Sequence, residues 1–281
     1  MRRLLLAFDL DGTLFDDDKS IPAENLRALE AAAERGHVLV PATGRMAPGI
    51  PENVRSLPFC RYYIVSNGAG VYDAREDKVL LREEIPAELA IRCCEHMDTL
   101  PVVYDCYQND KGWMTRSMYE SCEDYFPFEP HMYRMVKLLR VPVEELKATL
   151  RERGKPVQKM QMFFRPRDLE LRARELERFP ALFPELCGTT SVSNNIEINS
   201  VHAGKGKALL ALAKHLGIPR EDTLAFGDGT NDCELLQAAG LGVAMANADP
   251  KVKAVADEIT GSNNEAGVGK RILRLLAEDG A

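Results

Sequence analysis

The stretch LLLAFDLDGTLF, residues 4–15, decides the fold. A short apolar run is typical of a buried strand, and the Asp-Gly-Thr that follows is typical of a turn, so Asp9 falls where the strand ends. Ligands of open α/β sheets bind at this end of the strands. Because successive side chains of a strand alternate, Asp9 and Asp11 leave it on the same side. The stretch therefore predicts a central parallel strand with two carboxylates at its exit.

Two carboxylates at this spacing restrict the possible chemistry. One can attack an electrophile and form a covalent intermediate, while the other handles a proton. Two such charges resist ionising together unless a cation lies between them, which favours a bound divalent metal. Alone, the pair is also compatible with solvated residues of a turn.

The segments after this strand continue an α/β pattern. Residues 21–35 have the apolar spacing of an amphipathic helix, and residues 37–42 form the next apolar run, so the order is that of a right-handed crossover between parallel strands. Further strands are predicted at residues 62–66, 196–199, 223–226 and 242–246, a hairpin at 70–81, and helices at 205–216, from 233, and at 267–276.

Residues 84–193 interrupt this pattern and predict a separate unit. Helices are expected at residues 86–99, 142–153 and 168–179, and strands at 102–107, 113–116, 159–164 and 188–193. Strands and helices in this order indicate a mostly antiparallel sheet with helices on one face. We therefore predict an α/β protein: a Rossmann-like doubly wound core of residues 1–83 and 194–281, with an inserted α/β cap domain at 84–193.

Polar residues follow the predicted core strands or open the helices after them. They are Thr43, Gly44 and Arg45, then Asn67, then Lys205, and finally Asp228, Asn231 and Asp232. Each group has an ordinary alternative as turn residues, helix N-caps or an exposed lysine. All of them fall on one edge of one predicted sheet, where hydroxyl and backbone N–H groups bind phosphate and oxygen ligands bind Mg²⁺.

Composition limits the partners. The net charge of −7 argues against a nucleic-acid or anionic-membrane partner, and no stretch approaches the ~20 apolar residues of a membrane helix. Seven cysteines are an odd number without a C-x-x-C pair, as expected for free thiols in a reducing compartment. We expect a cytoplasmic protein that binds a small anionic molecule through local cations.

The motifs resemble those of a known family. D-L-D-G-T-L is similar to the first motif of the haloacid dehalogenase-like (HAD) superfamily of Mg-dependent phosphohydrolases. A-T-G-R, S-N-G-A and G-D-G-T-N-D resemble its Cof-type sugar-phosphatase branch, and the position of the insert resembles a type IIB cap. The chain departs from the branch at residues 264–268, which lack its usual acidic residue before Gly-Val, so a role for that loop stays open.

The resemblance implies a function and roles for these residues. It implies a Mg²⁺-dependent phosphatase of small phosphomonoesters, such as a sugar phosphate or related metabolite, with Asp9 as nucleophile and Asp11 as acid and base. Asp11 is accordingly expected to have a raised pKa. The implied metal residues are Asp9, Asp11 through its main-chain carbonyl, Asp228 and Asp232, and the implied phosphate-binding residues are Thr43, Gly44, Arg45, Asn67, Lys205 and Asn231.

Two alternatives share these residues. A sugar phosphomutase would return the phosphoryl group to the sugar instead of giving it to water. A non-catalytic phospho-acceptor switch would carry phosphate on Asp9 to change a partner surface, although a base at Asp11 would shorten the life of that phosphate. In the phosphatase reading, the insert closes over the site and excludes water.

Overall fold

The computed structural model describes residues 2–127 and 130–278 and divides the chain into two compact units. The first unit is Met1–Arg82 with Ala203–Ala281, and the second is Glu83–His202. Residue 1 and residues 279–281, at the ends of the predicted core, lie outside the described residues.

The elements alternate along the chain as an α/β protein requires. The strands are β1 (Leu5–Phe8), β2 (Val38–Pro41), β3 (Tyr62–Val65), β4 (Gly70–Asp73), β5 (Lys78–Arg82), β6 (Val102–Gln108), β7 (Lys111–Thr115), β8 (Arg140–Val143), β9 (Lys159–Phe164), β10 (Leu186–Thr189), β11 (Asn195–Ser200), β12 (Thr223–Gly227), β13 (Leu241–Ala244) and β14 (Glu258–Ile259). The helices are α1 (Ala23–Glu34), α2 (Glu52–Arg55), α3 (Ala87–Met97), α4 (Arg116–Ser121), α5 (Pro130–Leu139), α6 (Leu146–Arg153), α7 (Leu169–Leu182), α8 (Lys205–His215), α9 (Cys233–Ala238), α10 (Pro250–Val255) and α11 (Gly267–Glu278).

The first unit contains a five-stranded parallel sheet in the order β14-β13-β12-β1-β2. Strand β1 lies inside it, between β12 and β2, and all four of its residues are buried. A strand with neighbours on both edges and helices over its faces needs a continuous apolar run, which Leu5–Phe8 supplies. The predicted α/β fold with a parallel core sheet is confirmed.

Helix α1 shows why the local sequence folds as it does. Pro22 precedes it, where a missing N–H costs no helical hydrogen bond. Ala28, Leu29 and Ala32 recur at helical spacing and are buried, so one face packs on the core while the other stays polar. The crossover predicted from residues 21–42 therefore forms as β1-α1-β2.

Strand β3 departs from the prediction. It belongs to a separate antiparallel sheet in the order β3-β4-β5, because its nearest partner is the hairpin that follows it in sequence. It still touches the exit of β2, where Ala42 and Ile64 form a parallel bridge and the Thr43 N–H donates to the Ile64 carbonyl at 2.8 Å. The hairpin predicted at residues 70–81 forms as β4 and β5.

The second unit has its own six-stranded sheet in the order β10-β11-β9-β6-β7-β8. Its pairs are antiparallel except β7 with β8. Strand β11 is the main correction, because residues 196–199 were expected to open the second core segment. Residues 195–198 of β11 pair with residues 160–163 of β9, so the chain returns to the first unit at Ala203 instead of residue 194. Within the described residues, no helix is long and apolar enough to cross a membrane.

Candidate active site

The site lies at the carboxyl edge of the five-stranded sheet. Phe8 is in register with Phe226 of β12 and with Pro41 of β2, so the three strands end at the same level. The Asp9 N–H continues the pairing by donating to the Phe226 carbonyl at 3.1 Å. The residues that follow these strands therefore meet at one edge, as the sequence predicted.

Lys205 lies at the centre of the site. Its buried Nζ donates to Asp9 Oδ1 and to Asp232 Oδ1, each at 2.6 Å. Burial by itself lowers the pKa of Lys205, but the charges and hydrogen bonds of Asp232 and Asp9 outweigh it and hold the pKa above its usual range. The lysine is therefore charged at neutral pH, although it opens α8, where the helix dipole disfavours a cation.

Three carboxylates crowd around this lysine. Asp9, Asp228 and Asp232 each offer an oxygen within 4.8 Å of the others. Burial raises the pKa of Asp9 well above its usual range against the charge of Lys205, with Asp232 and Asp228 adding to the rise. Burial and then the charge of Asp232 raise the pKa of Asp228 to about 7.

The donor set fits a hard divalent cation. Carboxylate oxygens are the ligands that such ions prefer, and one lysine does not neutralise three crowded carboxylates. The Asp232 carboxylate is held by the N–H groups of Asp228 and Gly229 through Oδ2, at 3.1 and 3.0 Å. Asp228 Oδ1 accepts a hydrogen bond from Thr13 Oγ1 at 2.6 Å. The cluster could therefore hold a metal ion with its carboxylates already oriented.

Asp11 stands apart from this cluster. Its two oxygens accept hydrogen bonds from Arg45 Nε and Nη2, both at 2.9 Å, and Lys19 Nζ donates to Oδ1 at 3.1 Å. Burial alone would raise the pKa of Asp11, but the hydrogen bonds and charges of Arg45 and Lys19 lower it to about 2. The expectation of a raised pKa is therefore wrong for this arrangement, because two cations outweigh the effect of burial.

The turn after β3 brings an amide to the site. Ser66, Asn67 and Gly68 have φ values of +51°, +57° and +88°. Asn67 Oδ1 accepts a hydrogen bond from Asn231 Nδ2 at 3.3 Å, so two predicted phosphate-binding amides meet. A Cβ on Gly68 would lie 2.2 Å from the Gly204 carbonyl group, so this turn packs directly against the start of α8.

Thr43 occupies the turn after β2. Its buried hydroxyl accepts the N–H of Arg45 at 3.1 Å, and its carbonyl accepts the N–H of Asn67 at 3.1 Å. The first contact is the local turn bond considered as the alternative from sequence. It also helps to hold Arg45, whose guanidinium binds Asp11.

Three residues of the site were not predicted from the sequence. Thr13 lies within D-G-T-L but was not given a role, and no sequence pattern identifies Lys19, which lies in a polar loop. Gly12 is required by space: at φ +83°, a Cβ there would lie 2.3 Å from Asp228 Oδ2. The glycine of the first motif therefore allows Asp228 to approach the loop.

Comparisons with known proteins show the family of the chain. A family model described as haloacid dehalogenase-like hydrolase matches residues 6–272. The 5-amino-6-(5-phospho-D-ribitylamino)uracil phosphatase YcsE of Bacillus subtilis is 29% identical over 270 residues, covering 95% of this chain and 94% of the relative. The HMP-PP phosphatase of Escherichia coli (strain K12 / DH10B) is 29% identical over 251 residues, covering 89% and 86%.

Solved structures share the fold over nearly the whole length. A haloacid dehalogenase-like hydrolase from B. subtilis superposes with a TM-score of 0.81 at 28% identity, covering 96% of this chain and 99% of that one. The HAD subclass IIB sugar phosphatase BT4131 superposes with a TM-score of 0.81 at 25% identity, covering 97% and 98%.

Proposed function

Since the chain belongs to the haloacid dehalogenase-like hydrolases, of the Cof type, we propose that it is a Mg²⁺-dependent phosphatase acting on small phosphomonoesters through an aspartyl-phosphate on Asp9. The observation that carries the proposal is the buried contact of Lys205 with Asp9 and Asp232, beside Asp228. It gives a carboxylate nucleophile at a strand exit, next to the positive charge that a phosphate dianion needs.

In the first half of the reaction, an Asp9 oxygen attacks phosphorus and the bond to the leaving oxygen breaks. Asp11 gives that oxygen a proton. In the second half, Asp11 takes a proton from the water that attacks the phosphoaspartate, which releases phosphate and restores Asp9. Lys205, Asn231, Asn67 and the turn Thr43–Arg45 bind the phosphoryl oxygens in this proposal.

The proposed metal residues are Asp9, Asp228 and Asp232, with the Asp11 main-chain carbonyl. A bound Mg²⁺ would neutralise charge that develops on the phosphoryl oxygens. The charge of Lys205 favours the anionic, nucleophilic form of Asp9 and opposes the effect of burial on the pKa of that carboxyl. Asp232 accepts a hydrogen bond from Lys205 Nζ and so holds the ammonium group in contact with Asp9.

The ion pair of Asp11 with Arg45 suits one half of the reaction better than the other. An ionised Asp11 is a competent base for water, whereas donation to the leaving group requires it to be protonated. We infer that Arg45 turns from Asp11 to the phosphate of the substrate, so that Asp11 loses its strongest counter-charge when substrate binds.

The leaving group is proposed to be a sugar or a related metabolite. The named relatives are phosphatases of a phosphorylated ribitylaminouracil and of HMP-PP, and the BT4131 neighbour is named a sugar phosphatase. We also propose a cytoplasmic location, which the composition supports: the seven cysteines form no disulfide within the described residues.

The test is phosphate release from a panel of phosphomonoesters, with and without Mg²⁺. Wild type should turn over at least one compound only with the metal, Asp9→Asn should release none, and Asp18→Asn, an exposed carboxylate of the same loop, should behave as wild type. Isomerisation of a sugar phosphate without release would indicate a mutase. A stable phosphoprotein without turnover would indicate a switch.

A further inference from the structure

Three asparagine amides bind one loop of the first unit. The loop is Leu10–Phe15, called here the Asp11 loop, which follows β1 and carries Asp11. Its carbonyls at positions 12, 14 and 15 each accept a hydrogen bond from a different asparagine side chain. The donors are Asn247 Nδ2 to Gly12 at 2.8 Å, Asn25 Nδ2 to Leu14 at 3.0 Å, and Asn263 Nδ2 to Phe15 at 3.1 Å.

These carbonyls need partners because sheet pairing along β1 has ended before them. The loop makes its own turns, in which the Leu14 N–H donates to the Asp9 carbonyl at 3.2 Å and the Phe15 N–H to the Leu10 carbonyl at 2.9 Å. Leu14 and Phe15 are buried and Gly12 is half-buried, and a carbonyl shielded from water is costly without a partner, so the three amides supply hydrogen bonds that a neighbouring strand would give.

The asparagines come from remote parts of the chain and are themselves held. Asn25 is fully buried on α1, and its Oδ1 accepts the Gly269 N–H of α11 at 2.7 Å. The buried Asn263 donates its own N–H to Asn247 Oδ1 at 3.0 Å. The segment just before α11, whose role the sequence left open, is thereby joined to the loop after β1.

We propose that Asn25, Asn247 and Asn263 are positioning residues that hold the Asp11 loop in the geometry required for phosphoryl transfer. This inference rests on the proposed phosphatase function. The three side chains act through the loop main chain: they fix the carbonyls on either side of Thr13, and Thr13 in turn binds Asp228. The loop also carries the proposed Asp11 metal-ligand carbonyl, and the loss of outer hydrogen-bond partners of metal ligands typically costs about 10- to 100-fold in metal affinity or activity.

Asn247 gives the cleanest variants because it is exposed, so its substitution leaves the core intact. Asn247→Asp keeps an oxygen for the Asn263 N–H and loses only the donor to Gly12. Asn247→Ala loses both bonds without adding charge. Gln237→Glu, on an exposed side chain of α9, adds the same charge elsewhere and serves as the control.

Two measurements are made on each protein. The first is amide hydrogen exchange of residues 10–15 in the metal-free protein, which we expect to be about tenfold faster in both Asn247 variants and unchanged in Gln237→Glu. The second is steady-state phosphate release with Mg²⁺ on the best substrate. There we expect kcat to fall about 10- to 100-fold while KM stays within about twofold, since substrate binding groups are untouched.

The outcomes separate this inference from the function it rests on. Unchanged exchange in the loop, or faster exchange with an unchanged kcat, overturns the positioning role in an active phosphatase. A wild type that releases no phosphate refutes the proposed function, and the exchange rates then still decide whether the amides hold the loop. Asn263→Ala, measured in the same way at a temperature where it remains folded, must accelerate exchange in the same residues.

Discussion

Replacing Gly12 by alanine tests the geometry of the site most directly. Gly12 has φ +83°, and a Cβ placed there would lie 2.3 Å from Asp228 Oδ2. Ordinary contacts of a Cβ begin at 3.4 Å, so the Asp228 carboxylate or the loop has to move by about 1 Å. The substitution therefore displaces a proposed metal ligand without removing any functional group.

The magnitude has two parts that a control can separate. A left-handed backbone costs an alanine roughly 1–2 kcal/mol of stability. A displacement of about 1 Å near the reacting groups costs about 100-fold in rate, or about 2.7 kcal/mol. Gly36 has the same φ of +83° with no atom within 4 Å of its added Cβ. Gly36→Ala should therefore lose stability from its backbone conformation without displacing a neighbour.

The assay compares kcat/KM and thermal midpoints of wild type, Gly12→Ala and Gly36→Ala. Both variants should melt lower, by about 2–4 °C per kcal/mol, while only Gly12→Ala should lose about 100-fold in kcat/KM. The reasoning is refuted if Gly12→Ala stays within about threefold of wild type, or if Gly36→Ala loses as much activity.

Three further predictions concern buried charge. Lys205→Met should abolish turnover and lower the free energy of unfolding by about 3–5 kcal/mol in denaturant titrations, because two buried carboxylates lose their cation. The control Lys207→Met, at a half-exposed lysine, should keep both turnover and stability. Mg²⁺ at 100 times its Kd should stabilise wild type by about 2.7 kcal/mol in thermal melts, and Asp228→Asn should lose this gain; an equal gain in both would remove Asp228 from the metal site. The hydrogen bond of Arg61 to the buried Asp73 lowers the pKa of that carboxyl in the folded state. Its stabilising contribution is therefore full above about pH 4 and is lost as the pH falls through the lower folded-state pKa. Between about pH 5 and 3 the free energy of unfolding should fall more in wild type than in Asp73→Asn, and parallel pH profiles of the two proteins would contradict this.

The parts of the fold predicted from sequence are those with a local cause. The β1-α1-β2 unit, α8 and β12 each combine an apolar run or stripe with a turn or helix boundary, and each forms within a few residues of its predicted bounds. Strand β11 was assigned to the wrong sheet because an apolar-polar alternation does not identify its partner, and β9 lies some thirty residues earlier in the chain.

Other features depend on contacts that local patterns do not carry. The region from α4 to β8 mixes aromatic and polar residues without a clear period, and the sequence predicted no helix at residues 116–139. The convergence of Asp9 and Asp228 followed from their common position at exits of the parallel sheet, whereas Lys205 reaches them from the first turn of α8. The lowered pKa of Asp11 could not be predicted, because Lys19 and Arg45 contact it from two loops, and loop conformations have no periodic sequence pattern.

The parallel pairing of β1 with β12 determines the order in which the molecule can form. Leu5 finds its partner Thr223 only after the whole second unit has left the ribosome, roughly 10 to 40 s later at ordinary rates of synthesis. Throughout that interval the nascent first segment has an open apolar edge on β1, which is the kind of surface that chaperones bind. The rate of translation and the supply of chaperones should therefore affect the yield of active protein.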